Sequence, residues 1–244
     1  MKIKICGLVS QEEINALDAL RIDFGGIWSG VPRGRYNLDQ DTARSLLSLE
    51  TQFMELVLVT LEGSFEKIDA ILAGTRARAV QLHGFQMPAL IRKLKRAYAD
   101  AVKVVKVFHV QNATCLEEDI IDRYIEAGTD LLLFDSYGSK EQIGSSGSRI
   151  QNDYLRKIYE HYDMQKVIIA GGIHEANIAA LAAFANPFGV DIDTSARTGE
   201  RLDYNRIARL TNAINTHGTA AERMTSVSQS RAVPSPGSWR RGIH

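Results

Sequence analysis

Two residues in this chain are suited to moving protons near neutral pH, provided the fold brings them to one cavity. Cys6 closes the apolar run that starts at Ile3, and Asp135 closes the run Leu131–Phe134. A thiolate is a base and a nucleophile, and a carboxyl group held above its usual range can donate a proton. Other polar residues end apolar runs in the same way: Gln81 and His83, His109, and Asp191 with Asp193. Arg35 offers a planar fork for a carboxylate. Gly171-Gly172 and Gly144-Ser145-Ser146-Gly147-Ser148 each precede a helix-forming stretch. Such turns expose backbone N–H groups next to a helix N-terminus, an arrangement suited to phosphate.

Taken singly, each of these has a plainer structural reading. A strand cysteine is commonly core, buried histidines are commonly hydrogen-bonded, and glycine turns are ordinary loops. Cys115 is expected to pack within a helix. Asp135 resists the plain reading, because an unpaired carboxylate after four apolar strand residues is costly to bury.

The elements that must position these residues alternate regularly. Apolar strands are expected at Ile3–Cys6, Phe24–Trp28, Phe53–Val59, Ala77–Leu82, Val102–Val110, Leu131–Phe134, Val167–Ala170 and Phe188–Ile192. Helices follow at Gln11–Arg21, Asp39–Leu49, Ser64–Ala73, Gln86–Ala99, Ala113–Ala127, Asn152–His161, Glu175–Phe184 and Tyr204–Asn215. Continuous apolar strands that alternate with helices imply a parallel sheet covered by helices. Eight such units in about 217 residues fit a closed (β/α)8 barrel, an α/β fold whose chemistry sits at the C-terminal strand ends. The alternative, an open doubly wound sheet, lacks its glycine fingerprint G-x-G-x-x-G after the first strand.

Composition excludes several classes of function. The 244 residues carry 29 Lys plus Arg and 29 Asp plus Glu, so no basic excess points to nucleic acid. No apolar run approaches the roughly 18–20 residues that span a bilayer. No secretory h-region follows Met1, and two cysteines make no disulfide scaffold. A cytoplasmic protein with reduced thiols is expected. Residues 218–244 hold four arginines, one acid and Pro234-Ser-Pro236-Gly237, and read as a tail. The barrel, 1–217, then has 25 basic and 28 acidic residues, a net of −3.

In chain order, Lys4-Ile5-Cys6-Gly7, Gly34-Arg35-Tyr36, Val80-Gln81-Leu82-His83-Gly84, Leu132-Leu133-Phe134-Asp135, Ile169-Ala170-Gly171-Gly172-Ile173 and Gly189-Val190-Asp191 form a pattern. Over about residues 2–215 it resembles the phosphoribosylanthranilate isomerase family of tryptophan biosynthesis, as a divergent member. The resemblance implies an Amadori rearrangement of N-(5′-phosphoribosyl)anthranilate without metal or organic cofactor, in a monomer or homodimer. It makes Asp135 the general acid that opens the ribose ring and Cys6 the base that takes the C2′ proton. Arg35 would hold the anthranilate carboxylate and favour the Cys6 thiolate. Gln81, His83 and Asp191 would contact substrate, and Gly147, Gly171, Gly172, Thr194 and Ser195 would hold its phosphate.

Three loops depart from the family. Gly144-Ser145-Ser146-Gly147 stands where Gly-Gly-Thr-Gly is usual, and Ser29–Gly34 differs from the usual proline-rich loop. Asp193-Thr194-Ser195-Ala196-Arg197 stands for Ser-Ser-Gly, an aliphatic residue and Glu. Asp193 would repel a phosphate unless it turns away or Arg197 compensates. These changes leave room for a paralogue acting on another aminosugar phosphate, or for a barrel that only binds such a ligand. A pure binder would have no need of both Cys6 and Asp135.

Overall fold

A computed structural model describes residues 1–111, 113–136 and 150–225, with side chains described as far as Ile214. Eight parallel strands form a ring: β1 (Lys2–Cys6), β2 (Phe24–Ser29), β3 (Glu55–Thr60), β4 (Ala79–Leu82), β5 (Lys103–Gln111), β6 (Leu131–Ser136), β7 (Val167–Ala170) and β8 (Gly189–Ile192). Each pairs with the next, and β1 pairs with both β2 and β8, so the sheet closes on itself.

Helices α1 (Gln11–Ala19), α2 (Gln40–Leu47), α3 (Phe65–Leu72), α4 (Pro88–Tyr98), α5 (Ile121–Glu126), α6 (Asn152–His161), α7 (Glu175–Ala185) and α8 (Tyr204–Thr225) follow the strands in order. Local chemistry starts several of them. Ser10, Asp39 and Ser64 accept hydrogen bonds from the N3 amides of α1, α2 and α3, and Pro88 opens α4, where its missing N–H costs nothing. Among the described residues no helix is long and apolar enough to cross a membrane.

The two-residue period of the strands sorts side chains into two cores. Ile3, Ile5, Val80, Leu82, Leu132, Phe134, Val190 and Ile192 face the helices. Phe24, Trp28, Val57, Val59, Val105, Val107, Leu133 and Ile168 fill the barrel interior. The same alternation turns Lys4, Cys6, Gln81, His109, Asp135 and Asp191 inward. It turns Lys106 outward, where this fully buried lysine lies over Phe108 and Tyr124 and 3.7 Å from Glu117.

The expected helix over Ala113–Ala127 is only partly present. β5 turns back at Ala113, whose φ is +60°, into a short antiparallel strand at Thr114–Cys115. Cys115 therefore sits in a strand rather than a helix. The buried Glu117 carboxylate locks this hairpin by accepting from the His109 amide and facing its ring. Helical residues begin only at Glu118, and Leu116, inside the expected helix, is exposed. At the other end α8 continues to Thr225, beyond the expected Asn215; the rest of the basic tail and Gly147 lie outside the described residues.

Candidate active site

At the C-terminal ends of the strands lies a cavity of about 270 Å³. Cys6, Trp28, His83, Asp135 and Asp191 form its floor, and Gly171, Gly172, Asp193, Thr194 and Ser195 border one side. β1 contributes two inward side chains. Lys4 Nζ is 2.5 Å from Cys6 Sγ and 3.0 Å from Asp191 Oδ2. The lysine is 3% exposed, and its partnership follows from register, since Lys4 is the β-ladder partner of Asp191. Cys6 Sγ in turn donates to Asp191 Oδ2 at 3.7 Å.

Burial, and next to it the Asp191 charge, pushes the Cys6 thiol up to about 12, against the pull of Lys4. Burial opposes the Lys4 charge too, but Asp191 and Cys6 hold that ammonium above its ordinary value. The resting trio is therefore a thiol between an ammonium and a carboxylate. Lys4, in contact with the sulfur, favours its thiolate form against that burial.

Gly26 faces this trio across the β1–β2 ladder. A Cβ there would lie 2.8 Å from Cys6 Sγ and 3.2 Å from Lys4 Nζ. Gly26→Ala is expected to displace the pair and lower turnover about tenfold or more, with melting temperature as the control for folding. Unchanged turnover would show that the position of the trio is immaterial.

Asp135 is pushed up to about 7 by burial and by Asp191, against the Ser136 amide and Lys4. It thus keeps a proton into the neutral range. Nearby, burial and the charge of His109 push His83 down to about 3, so its ring is neutral. The Gln81 amide lies 3.3 Å from His83 Nδ1 and donates to it. The His83 proton then sits on Nε2, 3.8 Å from Asp135 Oδ2. Gln81 is fully buried beneath His83 and stays outside the cavity wall. His109 also stays outside: its ring nitrogens face Glu117 Oε1 and the His83 carbonyl oxygen, and Phe85 stacks on it.

The glycine side of the cavity joins backbone turns to Asp193 and Arg206. Gly171 and Gly172 have φ of +83° and +61°, which only glycine adopts without strain. Asn177 of α7 donates to the Gly172 carbonyl at 2.8 Å. Thr194–Ala196 forms one tight turn, anchored by Ser195 Oγ donating to the Ile173 carbonyl. Arg35 lies apart from these residues. Its side chain is 59% exposed and 3.9 Å from the exposed Glu200.

Lys4 was given no role in the sequence, and Arg197 was named there only as a compensator for Asp193. Lys4 had a signal: two positions before Cys6 in a strand, it must share the inward face. Arg197 had a weaker one, its spacing from Asp193. It is 4% exposed, and Nε binds Asp193 Oδ1 at 2.9 Å. Nη2 donates to the Cys6 and Gly7 carbonyls at 2.7 and 2.8 Å, and Nη1 to the Glu200 carbonyl at 2.9 Å. Its guanidinium lies 4.0 Å from the Tyr36 ring centroid.

A closed (β/α)8 barrel with a proton-holding carboxyl and a lysine-backed cysteine at the strand ends has the layout of an acid–base enzyme site. Its relatives narrow the class. The model of the family described as N-(5′-phosphoribosyl)anthranilate isomerase matches residues 3–213. The chain is similar to the enzyme of that name from Endomicrobium trichonymphae, 30% identical over 210 residues, which span 84% of this chain and 94% of the relative. It is equally similar, at 30% over 212 residues (85% and 94%), to that of Halorubrum lacusprofundi. Among solved structures, phosphoribosylanthranilate isomerase from Thermus thermophilus superposes with a TM-score of 0.71 at 20% identity, covering 88% of this chain and 99% of that one. The Thermotoga maritima enzyme gives 0.70 at 21%, with the same coverage. The chain belongs to the N-(5′-phosphoribosyl)anthranilate isomerase family.

Proposed function

We infer that this protein isomerises N-(5′-phosphoribosyl)anthranilate to 1-(2-carboxyphenylamino)-1-deoxyribulose 5-phosphate, a step of tryptophan biosynthesis. Within the site, the reading rests on one observation: a protonated carboxyl, Asp135, and a lysine-backed thiol, Cys6, open into the same cavity. A homologous structure holds the reduced form of that product, which supports the same substrate class.

Asp135 gives its proton to the ribose ring oxygen. The C1′–O bond breaks, and the nitrogen lone pair forms the C1′=N bond of a cationic Schiff base. Cys6, as thiolate beside Lys4, removes the C2′ proton, and the electrons of that C–H bond neutralise the nitrogen. The resulting enolamine takes a proton at C1′ and gives up the one on O2′, which makes the ketone. His83 Nε2–H steadies the Asp135 carboxylate after it has lost its proton.

The phosphate lies on the Gly171, Gly172, Thr194 and Ser195 side, near the start of α7, where backbone N–H groups and the helix dipole favour an anion. Arg35 swings from Glu200 to the anthranilate carboxylate, a move that its exposure allows. The test is rescue of a tryptophan auxotroph lacking this isomerase, backed by conversion of the substrate by purified protein. Folded wild-type protein that does neither would end this reading. Cys6→Ser that rescues as well as wild type would remove Cys6 from the mechanism.

A further inference from the structure

The most unusual contact at the cavity is an ion pair at the end expected to receive a dianion. Asp193 borders that end, and a carboxylate there works against any phosphate. It is held by Arg197 at 2.9 Å, with the arginine 2% and the aspartate 16% exposed at their side chains. Three further donors of Arg197 bind the carbonyls of Cys6, Gly7 and Glu200. Tyr36 packs against the guanidinium and also against Gly7, where a Cβ would meet the Tyr36 ring at 2.4 Å. This arginine is therefore fixed from β1, from the loop after β2 and from the loop after β8 at once.

We propose that Arg197 is a positioning residue with two separable effects. It cancels the Asp193 charge so that the glycine side of the cavity accepts a phosphate, and it sets the Cys6–Gly7 peptides that carry the thiol. The fork geometry explains why an arginine does both. Nε and one terminal nitrogen, fixed in one rigid plane, bind Asp193 and the Cys6 and Gly7 carbonyls respectively, which a lysine cannot reproduce. The first effect rests on the placement of the phosphate given above; the second rests on the hydrogen bonds alone.

The two effects part in a double-mutant cycle on the full chain, with inorganic phosphate as the binding probe and turnover read separately. Arg197→Met is expected to weaken phosphate binding about tenfold, by removing the ion-pair partner 2.9 Å from Asp193, and to lower kcat. Asp193→Ser added to Arg197→Met should restore phosphate affinity to within about threefold of wild type, while kcat stays low because the Cys6 and Gly7 carbonyls remain unheld. Arg197→Lys, the fallback where the methionine variant unfolds, should keep phosphate affinity and still lose turnover.

Phosphate binding unchanged in Arg197→Met would overturn the proposal. So would a loss that Asp193→Ser fails to restore, since Arg197 would then be a brace without an electrostatic role. Wild-type protein that binds phosphate with this pattern yet fails to isomerise would sink the proposed reaction and leave the compensation standing. Wild-type protein that isomerises but shows no phosphate dependence on Arg197 would do the reverse.

Discussion

Asp135→Asn is expected to lower kcat by about 10³-fold while making the protein more stable above neutral pH. The loss follows from removing the proton that opens the sugar ring. The gain follows from linkage. Asp135 is pushed up to about 7 in the folded chain, against about 3.9 for an ordinary aspartate in an unfolded one. The fold thus favours the protonated form. Its contribution is fully present below about pH 4 and is lost as pH rises to 7, where a buried carboxylate must be carried instead.

At pH 8 the asparagine variant avoids that burden and should gain about 1–3 kcal/mol in urea unfolding, but little at pH 4. The wild-type kcat/KM should fall above pH 7 as the acid ionises, and residual activity of the variant should lack that limb. A variant as active as wild type, or one with the same alkaline limb, would remove Asp135 as the acid.

Lys4→Met should be nearly as severe, for a different reason. The ammonium holds both the Cys6 sulfur and Asp191 Oδ2. Asp191 Oδ1 is already buried without a hydrogen-bond partner, so losing Lys4 strands a carboxylate in the barrel. That should cost about 3–5 kcal/mol of stability. Turnover should drop by about 10²-fold or more, because the thiolate loses its counter-charge. Adding Asp191→Leu should recover much of the stability but none of the turnover. Turnover retained in Lys4→Met, within about threefold, would show that the thiol works without its lysine.

The barrel was legible in the sequence because both of its periods are explicit. Apolar strands such as Val167–Ala170 recur between capped helices, and Ser10, Asp39 and Ser64 mark their starts. What failed was local. The Ala113–Ala127 stretch has helical periodicity, but a positive φ at Ala113 and the buried Glu117 carboxylate claim its first part for a hairpin.

The site was legible as far as residue type allows. Cys6, Asp135, Asp191 and the paired glycines do face one cavity. Gln81 was expected to contact substrate, yet it sits one layer below and acts on His83. Which polar residue forms the lining and which forms the layer beneath depends on strand register, and no spacing along one strand reveals that. Arg35 was credited with supporting the thiolate, whereas that contact belongs to Lys4. Arg197, offered in the sequence as one of two ways to relieve Asp193, does pair with it.

Closure of the ring by β1 and β8 has a consequence for how the protein is made. The Lys4–Asp191 contact joins residues 187 apart in sequence. At a synthesis rate of roughly 5–20 residues per second, the first strand emerges on the order of 10–40 s before its last partner exists. Until then Lys4 lacks its carboxylate partner and β1 has one open edge, so a chain interrupted before β8 carries the lysine and the thiol without Asp191. The chemistry of this barrel begins with the last strand to be synthesised, although its base lies in the first.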